Sequence, residues 1–359
     1  MQVLQILPTL NYGDAIGNDT LAIHQILKEN GFPSPIYAAN IGKRIPEGAA
    51  LPLSQLPSLA WDDVVLYHAA IGTRLNYEVA SMSCKKVMIY HNITPPDFFR
   101  GYSPSMELQT RSGYIGIKTM SRAMDYCIAD SEYNKSELRR MGYTCPIDVC
   151  PIIIPFEDYD QTPNQEVLDK YQNDGWTNLL FVGRIAPNKK QEDIIRAFYV
   201  YQQKYNPKSR LFLVGNSAGM EKYQQRLDAY IEKLGLEEKV IFPGHIGFDE
   251  ILTYYQLAHL FVCMSEHEGF CVPLLEAMHF KKPILAYASS AVPETLGAGG
   301  LLTETKDPRE NAALMNYILT HANFRQSLLQ NQQQVLHRFQ YAQVRARFEE
   351  CLQNALSSR

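Results

Sequence analysis

The sequence predicts an α/β protein made of two doubly wound domains, each a parallel sheet flanked by helices. Three observations lead there. Short apolar runs alternate with longer segments of helical periodicity, and the alternation halts at a proline-rich stretch and restarts beyond it. A length of 359 residues, 46% of them hydrophobic, also exceeds what one ordinary core holds.

In the first half the apolar runs are Val3 to Leu7, Val64 to Tyr67, Val87 to Tyr90 and Tyr126 to Ala129. Each is short and nearly continuous, as a strand covered on both faces should be. Helical patterns run from Asp19 to Asn30, closed by Gly31, and from Ser131 to Met141. Between Pro146 and Pro163 (PIDVCPIIIPFEDYDQTP) proline interrupts both helix and central strand, so the boundary falls there and the domains are expected at 1–155 and 156–342. Beyond it strands are expected at Leu179 to Val182, Leu211 to Val214, Val240 to Phe242, Leu260 to Cys263 and Pro283 to Ala286, with a helix from Gln191 to Tyr205. The Gln-rich tail from Asn323 to Arg359 keeps apolar residues at helical spacing, among them Leu328, Val335, Val344, Phe348 and Leu352, and reads as helix. Its last part, 343–359, is expected to complete the first domain. Parallel sheets bind ligands at the carboxyl ends of their strands, so two of them facing each other would enclose a cleft.

Composition excludes several functions. A net charge of -4 with no block of like charge leaves no footprint for nucleic acid. Seven cysteines without a CxxC pair or a zinc-type Cys/His spacing indicate reduced thiols and no metal. No apolar stretch approaches the roughly 18 residues of a spanning helix, and Met1 to Leu10 lacks the charged start of a signal peptide. A cytoplasmic location is expected, with peripheral contact at the inner face of the membrane left open.

Two clusters carry chemistry. After the strand ending at Val182 comes Gly183-Arg184-Ile185-Ala186-Pro187-Asn188-Lys189-Lys190, just before a helix. The planar fork of Arg184 and the point charge of Lys189 suit a diphosphate, although a solvated pair of surface cations explains them as well. The second cluster is Ser265-Glu266-His267-Glu268-Gly269-Phe270-Cys271-Val272-Pro273-Leu274-Leu275-Glu276-Ala277-Met278. Pro273 marks a helix start, which puts Glu276 in the first turn, where the helix dipole alone would account for an acid. Glu268 has no such local explanation. It falls on the loop beside Gly269, Phe270 and Cys271, where sugar hydroxyls could be held.

These residues resemble family 4 of the GT-B glycosyltransferases, whose Glu-x7-Glu motif sits in the pattern S-x-x-E-G-F-G-x-P-x-x-E-A-M. The match holds except at Cys271, where the family usually has Gly, and it extends over residues 179 to 303 through Phe181-Val182-Gly183-Arg184, Leu213-Val214-Gly215, Lys282-Pro283-Ile284-Leu285 and Pro293-Glu294-Thr295. In the amino-terminal half it is thinner, resting on His91, Ala129-Asp130-Ser131 and the opening loop, which lacks the adjacent glycines of many members and reads Asn11-Tyr12-Gly13-Asp14-Ala15-Ile16-Gly17-Asn18-Asp19.

The resemblance implies a fold of two Rossmann-like domains and a retaining, metal-independent transfer of a hexosyl group from a nucleotide-diphosphate sugar to a glycan or lipid-linked glycan, as in polysaccharide biosynthesis. A UDP-sugar is the first expectation, being the commonest donor in the family, and GDP-mannose the second. No cofactor is implied. Arg184 and Lys189 look like the clamp on the donor diphosphate, Glu268 like the holder of sugar hydroxyls and Glu276 like the ribose acceptor. His91 looks like the active-site histidine beside the sugar, although a strand-end histidine satisfied by backbone fits the sequence too. Gly17, placed at a helix start, would let a phosphate approach backbone amides, or it marks a tight turn. The donor set is thus Gly17, Arg184, Lys189, Gly269, Phe270, Cys271 and Glu276, and the catalytic set His91, Arg184, Lys189 and Glu268. Two rival readings are a UDP-sugar 2-epimerase of the same fold and a catalytically silent nucleotide-sugar-binding module.

Four further features are weighed here. Asp14 faces the acceptor or simply caps a helix. Arg74, Arg111, Lys118 and Arg122 are candidate acceptor contacts, the last three at helical spacing, as a face toward anionic headgroups or a solvated one. Asp158-Tyr159-Asp160 mimics a metal-binding Asp-x-Asp but reads as solvated linker. Cys271 reads as a small residue in a glycine position rather than a reactive thiolate.

Overall fold

Strands buried on both faces need helices on both sides, and each half of the chain supplies them. The computed structural model describes residues 1–244 and 246–358, which divide into two units. The first comprises Met1–Asp97, Ser105–Pro155 and Arg338–Arg359, the second Phe98–Pro104 and Phe156–His337. The break at 155 lies inside the predicted proline-rich boundary; Phe98–Pro104 belongs to the second unit, which the sequence did not suggest.

The first unit runs β1 (Val3–Leu10), α1 (Ala15–Glu29), β2 (Ile36–Ile41), β3 (Leu51–Pro52), β4 (Val64–Ala69), α2 (Leu75–Ala80), β5 (Lys85–Tyr90), α3 (Pro104–Met120), β6 (Tyr126–Ala129), α4 (Glu132–Arg140) and β7 (Ile147–Val149). Its seven strands are all parallel, in the order β3-β2-β1-β4-β5-β6-β7. One face packs Leu4, Val65, Tyr67, Met88 and Cys127 against Ile117 and Leu138. The other packs Val3, Leu66, Ile89 and Ile128 against Ile23 and Ile26 of α1 and against Val344 and Phe348 near the carboxyl terminus.

The second unit runs α5 (Gln165–Tyr171), β8 (Thr177–Val182), α6 (Gln191–Lys204), β9 (Ser209–Val214), α7 (Glu221–Leu234), β10 (Val240–Ile241), α8 (Phe248–Leu257), β11 (Leu260–Cys263), α9 (Val272–His279), β12 (Ile284–Tyr287), α10 (Val292–Leu296), β13 (Leu301–Thr303), α11 (Pro308–Thr320) and α12 (Ala322–His337). The sheet is again parallel, in the order β10-β9-β8-β11-β12-β13. In both sheets the order reverses once, at β1/β4 and at β8/β11. Loops leaving such a pair diverge to opposite faces and open a crevice at the carboxyl edge.

The tail is helical as expected, in two parts, α12 and α13 (Tyr341–Ser357), because the chain leaves the core of the second unit after Val335 and enters that of the first at Val344; Arg359 lies outside the described residues. Two sequence expectations are corrected. The proline-rich stretch is not all linker, since β7 pairs with β6 at the sheet edge, where bracketing prolines cost no ladder bond. Within Asp158-Tyr159-Asp160, Tyr159 is buried and donates to Glu276 Oε1 at 3.2 Å, so the segment packs rather than floats.

Glycine is required where β8 and β9 end. A Cβ on Gly215 would stand 2.0 Å from the Gly183 carbonyl oxygen, a backbone atom with nowhere to go. Gly215→Ala is expected to destabilise the protein by about 1–3 kcal/mol through overpacking. Denaturation midpoints measured in urea test this, and an unchanged midpoint would refute the close approach.

Candidate functional site

The loops leaving β8 and β11 are stitched together by one buried residue. Asn188 accepts the Glu266 amide on its own carbonyl oxygen at 2.8 Å, and its Nδ2 donates to the His267 carbonyl at 3.2 Å. That fixes the next residue on each loop. Lys189 Nζ donates to Glu268 Oε1 at 2.7 Å and Oε2 at 2.6 Å, a two-pronged ion pair whose side chains are 20% and 9% exposed. From behind, Ser290 Oγ accepts the Glu268 amide at 2.8 Å. Burial pulls the Lys189 ammonium down in pKa, but Glu268 outweighs it and holds the group above its ordinary value. The two charges that the sequence assigned to different parts of a donor therefore meet.

Arg184 is exposed, and its Nη2 donates to the Ala218 carbonyl at 3.1 Å. Two cations outside the predicted set adjoin the pair. Lys190 reaches Glu266 at 3.2 Å, while Lys306 reaches Asp193 at 3.1 Å and lies 3.9 Å from the Tyr287 ring centroid. Lys190 was visible as half of a Lys-Lys pair; Lys306 follows β13 and carries no local signal.

Gly269, Phe270 and Cys271 form the turn into α9. Thr295 Oγ1 donates to the Phe270 carbonyl at 2.5 Å. Cys271 is the residue before α9 and adopts φ 78°, ψ 61°, the left-handed region that favours glycine. Its thiol is buried against Cys263, and that contact and burial push its pKa up, so it is no thiolate nucleophile. Glu276 is not in the first turn. With α9 beginning at Val272 it falls in the second, and instead of the helix dipole it meets Tyr255 Oη at 2.6 Å and Tyr159 Oη at 3.2 Å. Burial raises its pKa against the pull of those two hydroxyls.

In the first unit, Gly17 is the third residue of α1, not its start. Its amide donates to Asp14 Oδ1 at 2.6 Å, so Asp14 is the N-cap and that amide is already engaged. A Cβ on Gly17 would lie 1.8 Å from the Asn11 carbonyl oxygen, which accounts for glycine there without any ligand. The His91 side chain is 1% exposed although the residue as a whole is partly exposed, so the accessible part of His91 is main chain. Its Nδ1 lies 2.9 Å from Asp130 Oδ2 and its Nε2 2.9 Å from His68 Nδ1. Asp19, buried beside them, accepts the Ile153 amide at 2.9 Å; burial pushes its carboxyl up to about 7, with His91 opposing.

Arg74 is exposed and pairs with Glu78 at 2.8 Å, and Arg111 pairs with Glu107 at 2.9 Å. Lys118 is exposed on α3, but Arg122 lies beyond the helix end at Met120, so the predicted basic face shortens to two residues. Exposed Leu108 and Ile115 complete that stripe.

Among the described residues, Asp19, His68 and His91 lie close together, as do Cys263, Glu268 and Cys271, each group with its side-chain N, O or S atoms within 4.8 Å of one another. The histidines and Glu268 already spend those atoms on protein partners. A cavity of about 530 Å³ in the second unit is lined by Thr177, His259 and Pro283, at the amino ends of the strands. It lies at the opposite edge of the sheet from Arg184, Lys189 and Glu268.

Residues 165–335 match the family described as Glycosyl transferases group 1, a stretch wholly within the second unit. The second unit belongs to that family. O-antigen chain mannosyltransferase B of Escherichia coli is 26% identical over 194 residues, covering 53% of this chain and 49% of the relative. Mannosylfructose-phosphate synthase of Agrobacterium fabrum is 33% identical over 104 residues, 28% of this chain and 23% of that one. The chain thus spans about half the length, or less, of these curated relatives. Among solved structures, Anabaena HepE in complex with UDP and glucose has a TM-score of 0.77 at 19% identity over 99% of this chain and 100% of that one. That likeness shows the GT-B fold. No helix among the described residues is long and apolar enough to cross a membrane.

Asp19 makes stability depend on pH. A carboxyl bound to its proton more tightly when folded adds stability fully present below its unfolded pKa of 3.8 and lost as pH rises through about 7. Stability should therefore fall over that window by an amount on the order of a few kcal/mol. Asp19→Asn, which keeps the acceptor for Ile153, should flatten the fall. Urea unfolding at stepped pH checks it, and identical slopes for the two proteins would count against the assignment.

Proposed function

We propose that this glycosyltransferase moves a sugar, with retention at the anomeric carbon and without a metal, from a nucleotide-diphosphate donor to a glycan or lipid-linked glycan in polysaccharide biosynthesis. The observation that carries the reading is the Lys189–Glu268 pair at the carboxyl edge of β8 and β11, with Arg184 on the same loop. In the reaction the bond from the anomeric carbon to the diphosphate breaks, the acceptor oxygen bonds that carbon, and the acceptor's proton goes to the departing phosphate. Arg184 and Lys189 stabilise the anion as it forms, and Glu268 exchanges its lysine partner for sugar hydroxyls. Glu276, next to two tyrosine hydroxyls, is the ribose acceptor. A UDP-sugar and GDP-mannose are the two donors to test; the mannosyl names of the sequence relatives support the second, and the UDP bound by HepE belongs to a fold-level neighbour.

Glu268→Gln keeps the side chain's shape and one hydrogen bond to Lys189, whereas alanine would strand a half-buried ammonium at a cost of about 3–5 kcal/mol. The glutamine variant should lower turnover by about 100-fold or more with its fold intact, and Arg184→Ala should weaken nucleotide binding by about tenfold. Radiolabelled transfer from both donors and calorimetric titration with UDP and GDP measure these. Wild-type rates and affinities in both variants would sink the reading, and a donor altered in the absence of acceptor would point to an epimerase.

The stripe Leu108, Arg111, Ile115 and Lys118 supports a peripheral contact with anionic lipid, as a lipid-linked acceptor requires. Co-sedimentation with phosphatidylglycerol vesicles should drop when Arg111 and Lys118 both become Glu; equal binding by the double variant excludes this face.

A further inference from the structure

Four neighbouring strands of the first unit carry polar residues on one face, Gln5 within β1 and the other three at or just past the ends of β4, β5 and β6. Along that face Val3, Leu66, Ile89 and Ile128 belong to the apolar core, and the next residues pointing the same way are Gln5, His68, His91 and Asp130. They form a continuous chain. Gln5 Nε2 donates to the Thr20 carbonyl at 3.1 Å, which turns its Oε1 toward His68 Nε2 at 2.9 Å. His68 Nε2 must then carry the proton. A neutral His68 offers its bare Nδ1 to His91 Nε2, which must in turn be the donor across their 2.9 Å contact. The other His91 nitrogen faces the Asp130 carboxylate at 2.9 Å, and that contact too needs one proton. Gln5 and His68 are fully buried, and the His91 and Asp130 side chains are 1% and 2% exposed, so water cannot substitute for any partner.

We propose that His68 and Asp130, anchored by Gln5, are positioning residues that keep a proton on both ring nitrogens of His91, making it a buried imidazolium with no nitrogen free to give or take a proton. The proton chain lies wholly within the first unit; its kinetic arm alone rests on the glycosyl-transfer reading, in which no proton of the acceptor passes through His91. Other titratable groups face the imidazolium. Asp14 and Asp19 of the α1 region reach it electrostatically, and Cys150, after β7, lies near Asp19 and Asp130. Burial lowers the His91 pKa, but Asp130, Asp19 and Asp14 together raise it above 6.5; burial and the His91 charge drive His68 well below 6.5. The same contacts that hold the imidazolium set where it is lost, as pH rises through the folded pKa of His91.

The test uses the full chain labelled with ¹⁵N-histidine. At about pH 7 the wild type should show both His91 nitrogens protonated and one bare nitrogen on His68. Asp130→Asn should weaken His91 proton affinity by about tenfold or more. His68→Gln, which still offers an oxygen to His91 Nε2, should preserve the imidazolium, and His68→Leu should not. In the kinetic arm the alkaline limb of kcat should move to lower pH in Asp130→Asn with the donor KM changed far less, and kcat lost in His68→Leu should return in His68→Gln. A neutral His91 in the wild type, a proton residing on Asp130, or variant pH profiles that superimpose on the wild type would each overturn the proposal. If no donor is turned over at all, the glycosyl-transfer reading fails while the nitrogen shifts still decide the proton chain.

Discussion

Much of the second unit's site depends on one interaction, the two-pronged bond from Lys189 to Glu268, and that bond depends on Asn188. A lysine and a glutamate separated by 79 residues meet because β8 and β11 are neighbours at the reversal of strand order and because Asn188 ties their loops through two backbone groups. Taken singly, each charge would be costly to seat in a half-buried place. Together they neutralise one another, and because both loops are held by backbone bonds little conformational freedom remains to be lost. A diphosphate bearing a sugar offers an anion to one partner and hydroxyls to the other, so it can replace the pair without leaving either charge alone.

The same logic orders the first unit in different chemistry. Below Gln5, His68, His91 and Asp130 the face is wholly apolar, so the local dielectric is low and an unsatisfied polar group would be expensive. The network avoids that cost by passing each donor to the next acceptor, from the Thr20 carbonyl to Asp130. Its rigidity follows from the strands, since Gln5 lies within β1, His68 near the end of β4, and His91 and Asp130 just past the ends of β5 and β6, all of them paired strands.

How much of this was legible in the sequence varied with the range of the signal. Tyr126 to Ala129 and Leu260 to Cys263 were read with the bounds the structure gives them, because a buried parallel strand writes itself as a local apolar run. Strand β2 was missed because its second half, Ala39-Asn40-Ile41, is exposed and does not continue the apolar run, and β3 because two residues carry no period. Glu276 was placed one turn too early. Pro273 did mark a helix start, but Cys271 precedes that helix in a left-handed conformation that spacing does not encode, so Val272 opens α9 and Glu276 slips past the first turn. Arg184, Lys189 and Glu268 were found by motif and grouped in one site, yet the direct bond from Lys189 to Glu268 was not, because it depends on strand order.

His91 illustrates the limit most sharply. Its residue type at a strand end drew attention, and two readings stood open: an active-site group or a histidine satisfied by backbone. The structure corrects the second reading, since both ring nitrogens face side chains that lie 23 and 39 residues away. Those partners carry no motif individually. A strand whose same-face alternation includes one Gln, His or Asp is unremarkable until four such strands are laid side by side, and then the polar rung must pair with itself because nothing beneath it can. Buried charge at the edge of a parallel sheet is therefore visible in sequence as residue type, while its protonation and its role belong to the register between strands.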